Sequence, residues 1–489
     1  MSEALMADDT PACAPGRQPG ARYALIVFFI LSMVNYVDRT VPSSVKDPIK
    51  HDLNLTDTQT SYPYVFMYAF YMIFAPIFGI LADREGSDRK MILMFTIILW
   101  SLATAGAGLA HNIFQLVLYR SFVGIGEVAF MSISPVVIAD YYPKEDRAAV
   151  YCIMSVAMPF GGALGYGIGA AIEPVWGWRA AFYVCGLPGV ATAALVWLMK
   201  FPPRGCNDSV VESVARPNEG ILKDTWNLLT NGHYMLSTMG LTACSFLLGA
   251  CQEWGGPFTS RNTSLSSSQA DIFLAGLAVI GGILGTVLGT KVIQYVEGRV
   301  KSASLLVPTV FQVFNAVFSF LTVIFIGAGS FAAGAPCLVL GQICCATCTA
   351  PLTLISINVV PEHLRVRGQG LKLVINHLLG DMIASPLVGL ISDRTGSLMM
   401  GMHLVWVAAC VTVIFWTAEL VFLPPLDPEI TEKEPMYDEA TGKGTIMSLL
   451  WNDNDERLLA SSKSGEQAYE VYGSVDGLKK RGANIRQEA

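Results

Sequence analysis

Arg120 and Glu127 stand seven residues apart in LVLYRSFVGIGEVAF, the stretch from Leu116 to Phe130, inside a long apolar segment. Seven residues are two helical turns, so both side chains leave one face of one helix. Asp38 and Arg39 form a second charged pair inside the first apolar segment. A charge at the centre of a membrane helix costs about 2.5–3.5 kcal/mol on insertion scales, so such groups are kept where they face a polar cavity or one another. Their chemistry would be divided. A carboxylate takes up a proton in a desolvating site and loses it beside a cation. An arginine stays charged and either clamps a carboxylate or grips an anionic group. Adjacent residues on a helix do not face each other, so Asp38 and Arg39 are not expected to neutralise one another. Asp38 is expected to face a central cavity and pair with a cation from the helix of Arg120 and Glu127. The alternative is a buried salt bridge that only fixes helix register.

The elements that must position these charges are membrane helices. The 489 residues are 53% hydrophobic and 15% charged, with a mean hydropathy of +0.48, against about 25% charged in a soluble chain. The apolar runs are continuous over about 20 residues without strand alternation, which implies helices and excludes a barrel. A net charge of −7 gives no reason to expect nucleic acid. The Cys345–Cys348 pair and Cys344 lie in an apolar run without His or carboxylate beside them, and read as packing rather than a redox or metal site. No nucleophile–base pair, metal cluster or phosphate loop stands out, so neither an enzyme nor a cofactor is expected.

Twelve spans are predicted: Tyr23–Val45, Thr58–Ala82, Met91–Ala110, Ile113–Tyr141, Ala148–Ile172, Arg179–Met199, Tyr234–Phe258, Ala270–Val296, Ser302–Gly329, Ala333–Val360, Gly368–Ser392 and Met402–Leu423. They divide the chain into a tail (1–22), a six-helix bundle (23–199), a central loop (200–233), a second six-helix bundle (234–424) and a tail expected to be disordered (425–489). Lys and Arg gather in alternate loops, Arg84, Arg89, Lys90, Lys144, Arg147, Arg204 and Arg365 among them. The bias predicts that both termini face the cytoplasm. Lys46, Lys50, Arg179, Arg261 and Arg394 are left to the outer loops and helix edges. Sequons at Asn54 and Asn262 fall on predicted outer loops as candidate glycosylation sites.

The two halves carry traces of duplication. Pro143-Lys-Glu-Asp-Arg147 follows the fourth span and Pro361-Glu-His-Leu-Arg365 the tenth. Glycine ladders, Gly161/Gly165/Gly169 and Gly281/Gly285/Gly289, would let backbones approach, either between moving halves or in static packing. Glu253, beside Trp254, would either touch the outer mouth of the cavity or sit at a solvated helix end. The aromatic run from Tyr62 to Tyr71 would supply apolar walls or packing.

Gly79-Ile-Leu-Ala-Asp83-Arg84-Glu85-Gly86-Ser87-Asp88-Arg89-Lys90 resembles the signature loop of the major facilitator superfamily, with Ser87 and Asp88 as two extra residues. Trp178-Arg179 with Phe182 is similar as well. Within that superfamily the chain resembles the Spinster lipid transporters. The resemblance rests on Asn35-Tyr-Val-Asp38-Arg39, Arg120 with Gly124-x-Gly126-Glu127, Ile138-Ala-Asp140, Pro159 through Gly165-Tyr166, Pro202-Pro-Arg-Gly205, and His377 through Asp381, Ser385, Gly389 and Asp393. It implies an all-α membrane fold, twelve helices in two pseudo-symmetric six-helix bundles working by alternating access. It implies a conformational charge network of Asp83, Arg84, Arg89 and Asp140, and places His377 and Asp381 in the second half's share of the cavity. One helical turn apart, these two could otherwise form a metal pair or a plain hydrogen-bonded one.

Together these readings predict a proton-coupled, monomeric transporter moving a lysophospholipid or sphingoid phosphate, with Asp38, Arg39, Arg120, Glu127, His377 and Asp381 as the coupling and substrate cavity. Alternatives are an organic-anion or sugar symporter of the same superfamily, and a transporter-like receptor or scaffold. Asp455–Leu459 and Tyr472–Val475 in the tail resemble endolysosomal sorting signals, which would engage sorting adaptors and favour an endolysosomal membrane.

Overall fold

The computed structural model describes residues 16–83, 88–203, 206–207, 221–296, 299–300, 302–348, 351, 355, 359–360, 364–424, 437–438 and 443–444. The sorting-type motifs and almost all of the predicted tail lie outside them. The second compact unit, Glu434–Ala489, contributes only the antiparallel pairing of Tyr437–Asp438 with Lys443–Gly444. The rest is helical.

In chain order the helices are α1 (Ala21–Ser44), α2 (Lys46–Asp52), α3 (Asp57–Thr60), α4 (Tyr62–Asp83), α5 (Arg89–Ala107), α6 (Ile113–Tyr141), α7 (Lys144–Leu198), α8 (Ile221–Thr230), α9 (Gly232–Asn262), α10 (Ser267–Val296), α11 (Ala303–Gly327), α12 (Phe331–Ala346), α13 (Arg365–Asn376), a π-helical turn (His377–Asp381), α14 (Met382–Thr395) and α15 (Leu398–Phe422). Caps mark several starts: Asn112 accepts from Gln115 N–H ahead of α6, and Asn231 from Tyr234 N–H ahead of α9, each satisfying an orphan donor. Two predicted spans run together in α7, where the expected loop is a kink at Gly177 (φ 75°, ψ 167°). Only glycine takes that backbone angle without strain. The tenth span begins as α12; most of its predicted remainder lies outside the described residues, of which Pro351 and Ile355 are helical. With α7 counted as two spans and the short α12 included, the architecture is twelve membrane helices in two six-helix halves.

Each half closes around its own apolar core, with Phe28, Trp100 and Phe130 in the first and Trp254, Val405 and Ala409 in the second. Large apolar side chains such as Phe114, Ile80 and Phe422 are fully turned outward, the arrangement a chain adopts when its solvent is hydrocarbon. The glycine ladders act within halves. Gly161 and Gly165 lie against the backbone of Met33 and Val37 on α1, and Gly285 and Gly289 against that of Ile343 and Thr347 on and beside α12. They are static packing, because the face they bare is filled by a helix of the same half.

Candidate functional site

α1, α4 and α6 converge on the charges. The approach is made possible by Gly124, where a Cβ would overlap the Met67 carbonyl of α4. Arg39 donates from Nε to Glu127 Oε2 at 2.8 Å. Arg39 is 9% exposed and Glu127 is fully buried. The rings of Tyr36, Tyr68 and Tyr71 surround the guanidinium at 5.5–5.7 Å, close enough for cation–π attraction.

Arg120 takes no part in that pair. Its Nη1 donates to the backbone carbonyl of Asp38 at 3.1 Å, and its Nη2 lies 2.9 Å from Met67 Sδ. The Asp38 carboxylate is 1% exposed, and neither of its oxygens has a hydrogen-bond partner among the described residues. The expected pairing of Asp38 with a cation of α6 is therefore replaced by pairing of Arg39 with Glu127. Neighbours on a helix point about 100° apart, and the direction that reaches Glu127 belongs to Arg39. Glu127 Oε1, Arg39 Nη2 and both amide atoms of Asn35 are likewise buried without partners. Buried polar groups are rarely left so.

His377 and Asp381 come together on the π-helical turn, with Nδ1 at 3.0 Å from Oδ2. Gly380 (φ −97°, ψ −109°) breaks the helical run between them. The His377 ring packs on Tyr68 at a centroid distance of 4.9 Å and meets Tyr71 edge-on at 6.0 Å. A continuous chain of contacts thus runs from the second half into the first: Asp381, His377, Tyr68 and Tyr71, Arg39, Glu127. Tyr68 and Tyr71 are packing, and Tyr64 of the same run lines a cavity. Among the described residues, no three potential ligands stand together to hold a metal.

The residues of the expected charge network are only partly in view. Arg89 and Asp140 form an ion pair at 3.0 Å, while the side chains of Asp83 and Arg84 lie outside the described residues. Asn54 is exposed with φ 52°. Asn262 is half-buried and donates its Nδ2 to Phe258 carbonyl at 2.8 Å.

Sequence reasoning missed the contacts that fasten the two halves together at the end bearing α2 and α3. Lys46 belongs to the first half, yet its surroundings come from the second. Its Nζ donates to Glu253 Oε2 at 2.8 Å, approaches Ser385 Oγ at 3.5 Å and lies 3.8 Å from the centre of a Trp254 ring. Ser43 donates to Glu253 Oε1 at 2.5 Å. Lys46 and Glu253 are 3% and 4% exposed, so Glu253 is not a solvated helix end; it lines the cavity. Beside them Arg261 bridges Asp47 and Asp57, and Asp393 accepts from the N–H groups of Asp57 and Thr58 at 2.9 Å each. A carboxylate of one half thus caps a helix of the other. One signal was available: Arg39, Ser43 and Lys46 follow one another at i, i+4 and i+7, a single helical stripe. That stripe meets a cavity of about 20 Å³ lined by Arg39, Lys46, Arg120, Tyr64 and Glu253 among others, room for about one water molecule.

Comparison with known proteins agrees with this architecture. Residues 28–380 match the Major Facilitator Superfamily. The chain is 30% identical over 387 residues to protein spinster homolog 1 of Xenopus tropicalis, covering 76% of this chain and 72% of the relative. It is 30% identical over 397 residues to protein spinster homolog 1 of Homo sapiens, covering 78% and 74%. It is 27% identical over 460 residues to the probable sphingolipid transporter spinster homolog 2 of Arabidopsis thaliana, covering 87% and 92%. Its fold is similar to that of a bacterial homologue of the human lysosomal transporter Spinster, solved in an inward-facing, unoccupied conformation, with a TM-score of 0.70 at 22% identity over 83% of this chain and 97% of that one. The chain belongs to the major facilitator superfamily and is a multi-pass membrane transporter of the Spinster type, not an enzyme.

Proposed function

We propose that this transporter moves a single-tailed lipid with an anionic or zwitterionic headgroup, a lysophospholipid or sphingoid phosphate, by proton-coupled alternating access. The observation that carries the reading is the geometry around Arg39. A cationic pole of Arg39, Arg120 and Lys46 borders one cavity, within helices whose other surfaces are apolar. Beside it lies a buried carboxylate, Asp38, with no hydrogen-bond partner among the described residues. In the conformation described the cavity has room for about one water, so the pole would meet a phosphate, which arginine binds through paired N–H groups, only as the halves move and the cavity widens. A buried carboxylate close to cations is suited to carry the proton, because its affinity for protons follows the balance of desolvation and charge that rocking would alter.

In this reading the conformation is closed at the α2 end, where the bonds between halves gather. The Lys and Arg bias assigns the opposite end, and both termini, to the cytoplasm, so the closed end faces outward or into a lumen. An endolysosomal membrane fits the tail motifs, with sorting adaptors as their readers. The name of the plant relative, a probable sphingolipid transporter, favours the same substrate class.

The test is uptake into proteoliposomes of labelled lysophosphatidylcholine, lysophosphatidate and sphingosine phosphate, with and without a pH gradient. A sugar and a dicarboxylate serve as competitors. Lipid uptake that rises with the gradient is expected. Uptake of the sugar or dicarboxylate without any lipid would overturn the substrate reading, and lipid uptake indifferent to pH would overturn the coupling.

A further inference from the structure

We propose that Lys46 is a headgroup-responsive latch: an anionic headgroup in the cavity takes Lys46 away from Glu253, and that exchange releases the seal between the halves at the α2 end. The inference rests on the lipid-phosphate reading above and adds to it how the substrate is felt by the gate.

Four observations converge on this role. Lys46 stands on the stripe that carries Arg39, and both line the same cavity together with Arg120 and Glu253. Its hydrogen bonds and its ring contact come from the other half, through Glu253 at 2.8 Å, the Trp254 ring at 3.8 Å and Ser385. The pair is buried on both sides, so it cannot simply part. Removing one partner strands the other charge in low dielectric, and the seal holds until something else neutralises Lys46. A phosphate that enters as this cavity, now of about 20 Å³, widens is such a group. It replaces one anionic partner by another without leaving the ammonium bare. The Ser43–Glu253 hydrogen bond crosses the same interface, so it breaks with the latch, and Glu253 is then hydrated or protonated as the halves part.

The remainder of the seal is built to detach. Asp393 of α14 caps α3 from across the interface. Yet α3 also holds its own capping box, in which Thr56 and Gln59 satisfy each other's backbone N–H groups. When Asp393 withdraws, the helix start retains a cap and survives the opening. A neutral lipid offers nothing to Lys46 and should leave the latch shut, so the same pair selects for headgroup charge.

Hydrogen–deuterium exchange of the full chain in nanodiscs, read on peptides covering residues 46–60, tests this. The probes are lysophosphatidate, glycerol 3-phosphate and monoacylglycerol. Lysophosphatidate should speed exchange of that segment about tenfold, since exchange follows the free energy of local opening, and monoacylglycerol should leave it unchanged. Lys46→Gln should raise basal exchange without ligand. The double variant Lys46→Met with Glu253→Met removes both charges; it should stay as protected as wild type and ignore lysophosphatidate. Equal effects of the neutral and anionic lipids, or a double variant that still responds, would overturn the latch. If glycerol 3-phosphate acts while lysophosphatidate does not bind, the lipid reading falls and the latch stands. If lysophosphatidate binds without altering exchange, the latch falls and the lipid reading stands.

Discussion

The Arg39–Glu127 pair can be taken apart in a way that separates a structural clamp from a working part. The perturbation is Arg39→Met and Glu127→Leu, each alone and then together. Breaking a buried pair by removing one partner costs about 3–5 kcal/mol. Glu127→Leu should fall near the lower limit, because the guanidinium keeps the three tyrosine rings at 5.5–5.7 Å, each worth about 0.5–2 kcal/mol depending on solvation. The Tyr68 hydroxyl at 3.5 Å is too distant to help further. Arg39→Met should fall near the upper limit. It strands a fully buried carboxylate whose hydrogen bond comes from Arg39 at 2.8 Å, while Arg120 is spent on the Asp38 backbone. The double variant leaves no charge unpaired and fills the space with apolar groups, so it should return to within about 1 kcal/mol of wild type. Reversible unfolding in mixed micelles measures these differences, and proteoliposome uptake measures transport. The expected result is a double variant that is stable and inactive. Single variants costing under about 1 kcal/mol would show that the site is hydrated and the burial argument mistaken. A double variant that transports with unchanged pH dependence would reduce the pair to a helix staple.

Three further outcomes follow from the same geometry. Asp38→Asn removes a buried carboxylate without a hydrogen-bond partner, so stability should hold or rise; proton-driven accumulation should vanish while counterflow exchange, measured with substrate on both sides, persists. Gly124→Ala places a methyl against the Met67 carbonyl, and should cost about 1–3 kcal/mol as overpacking, visible as a lower unfolding midpoint in micelles. Asp52, in α2, is held below the ordinary carboxylate range by its hydrogen bond from Arg179. Its small stabilisation is present above the free carboxylate's value and lost as pH falls through the lowered one, and Asp52→Asn should abolish that pH dependence in the same unfolding assay.

Much of the architecture was legible because membrane insertion writes it into composition. Apolar length marks the spans, and intramembrane charges announce themselves by their cost. The partners of those charges were not legible. Whether Glu127 meets Asp38 or Arg39 is decided by the rotation of α1 against α6, and Gly124 of α6 fixes how closely that helix packs on a third one, α4. No spacing within one segment contains this information. The π-helical turn that brings His377 to Asp381 was hidden likewise, since helical spacing predicts their proximity but not the break at Gly380.

Lys46 is the instructive miss. Just past an apolar run, a lysine reads as a topological marker, and by sequence alone it is indistinguishable from Lys50 four residues on. Lys50 does remain near the surface, paired with Asp57. Lys46 differs because the second half of the chain, more than 200 residues away, supplies Glu253, Trp254 and Ser385 to cover it. Its stripe nevertheless begins at Arg39, inside the cluster that sequence did single out. The pair at the centre and the latch at the α2 end therefore stand on successive helices, α1 and α2, that face the same cavity. A change of charge at the first can reach the second through a shared cavity, without a relay of intervening side chains.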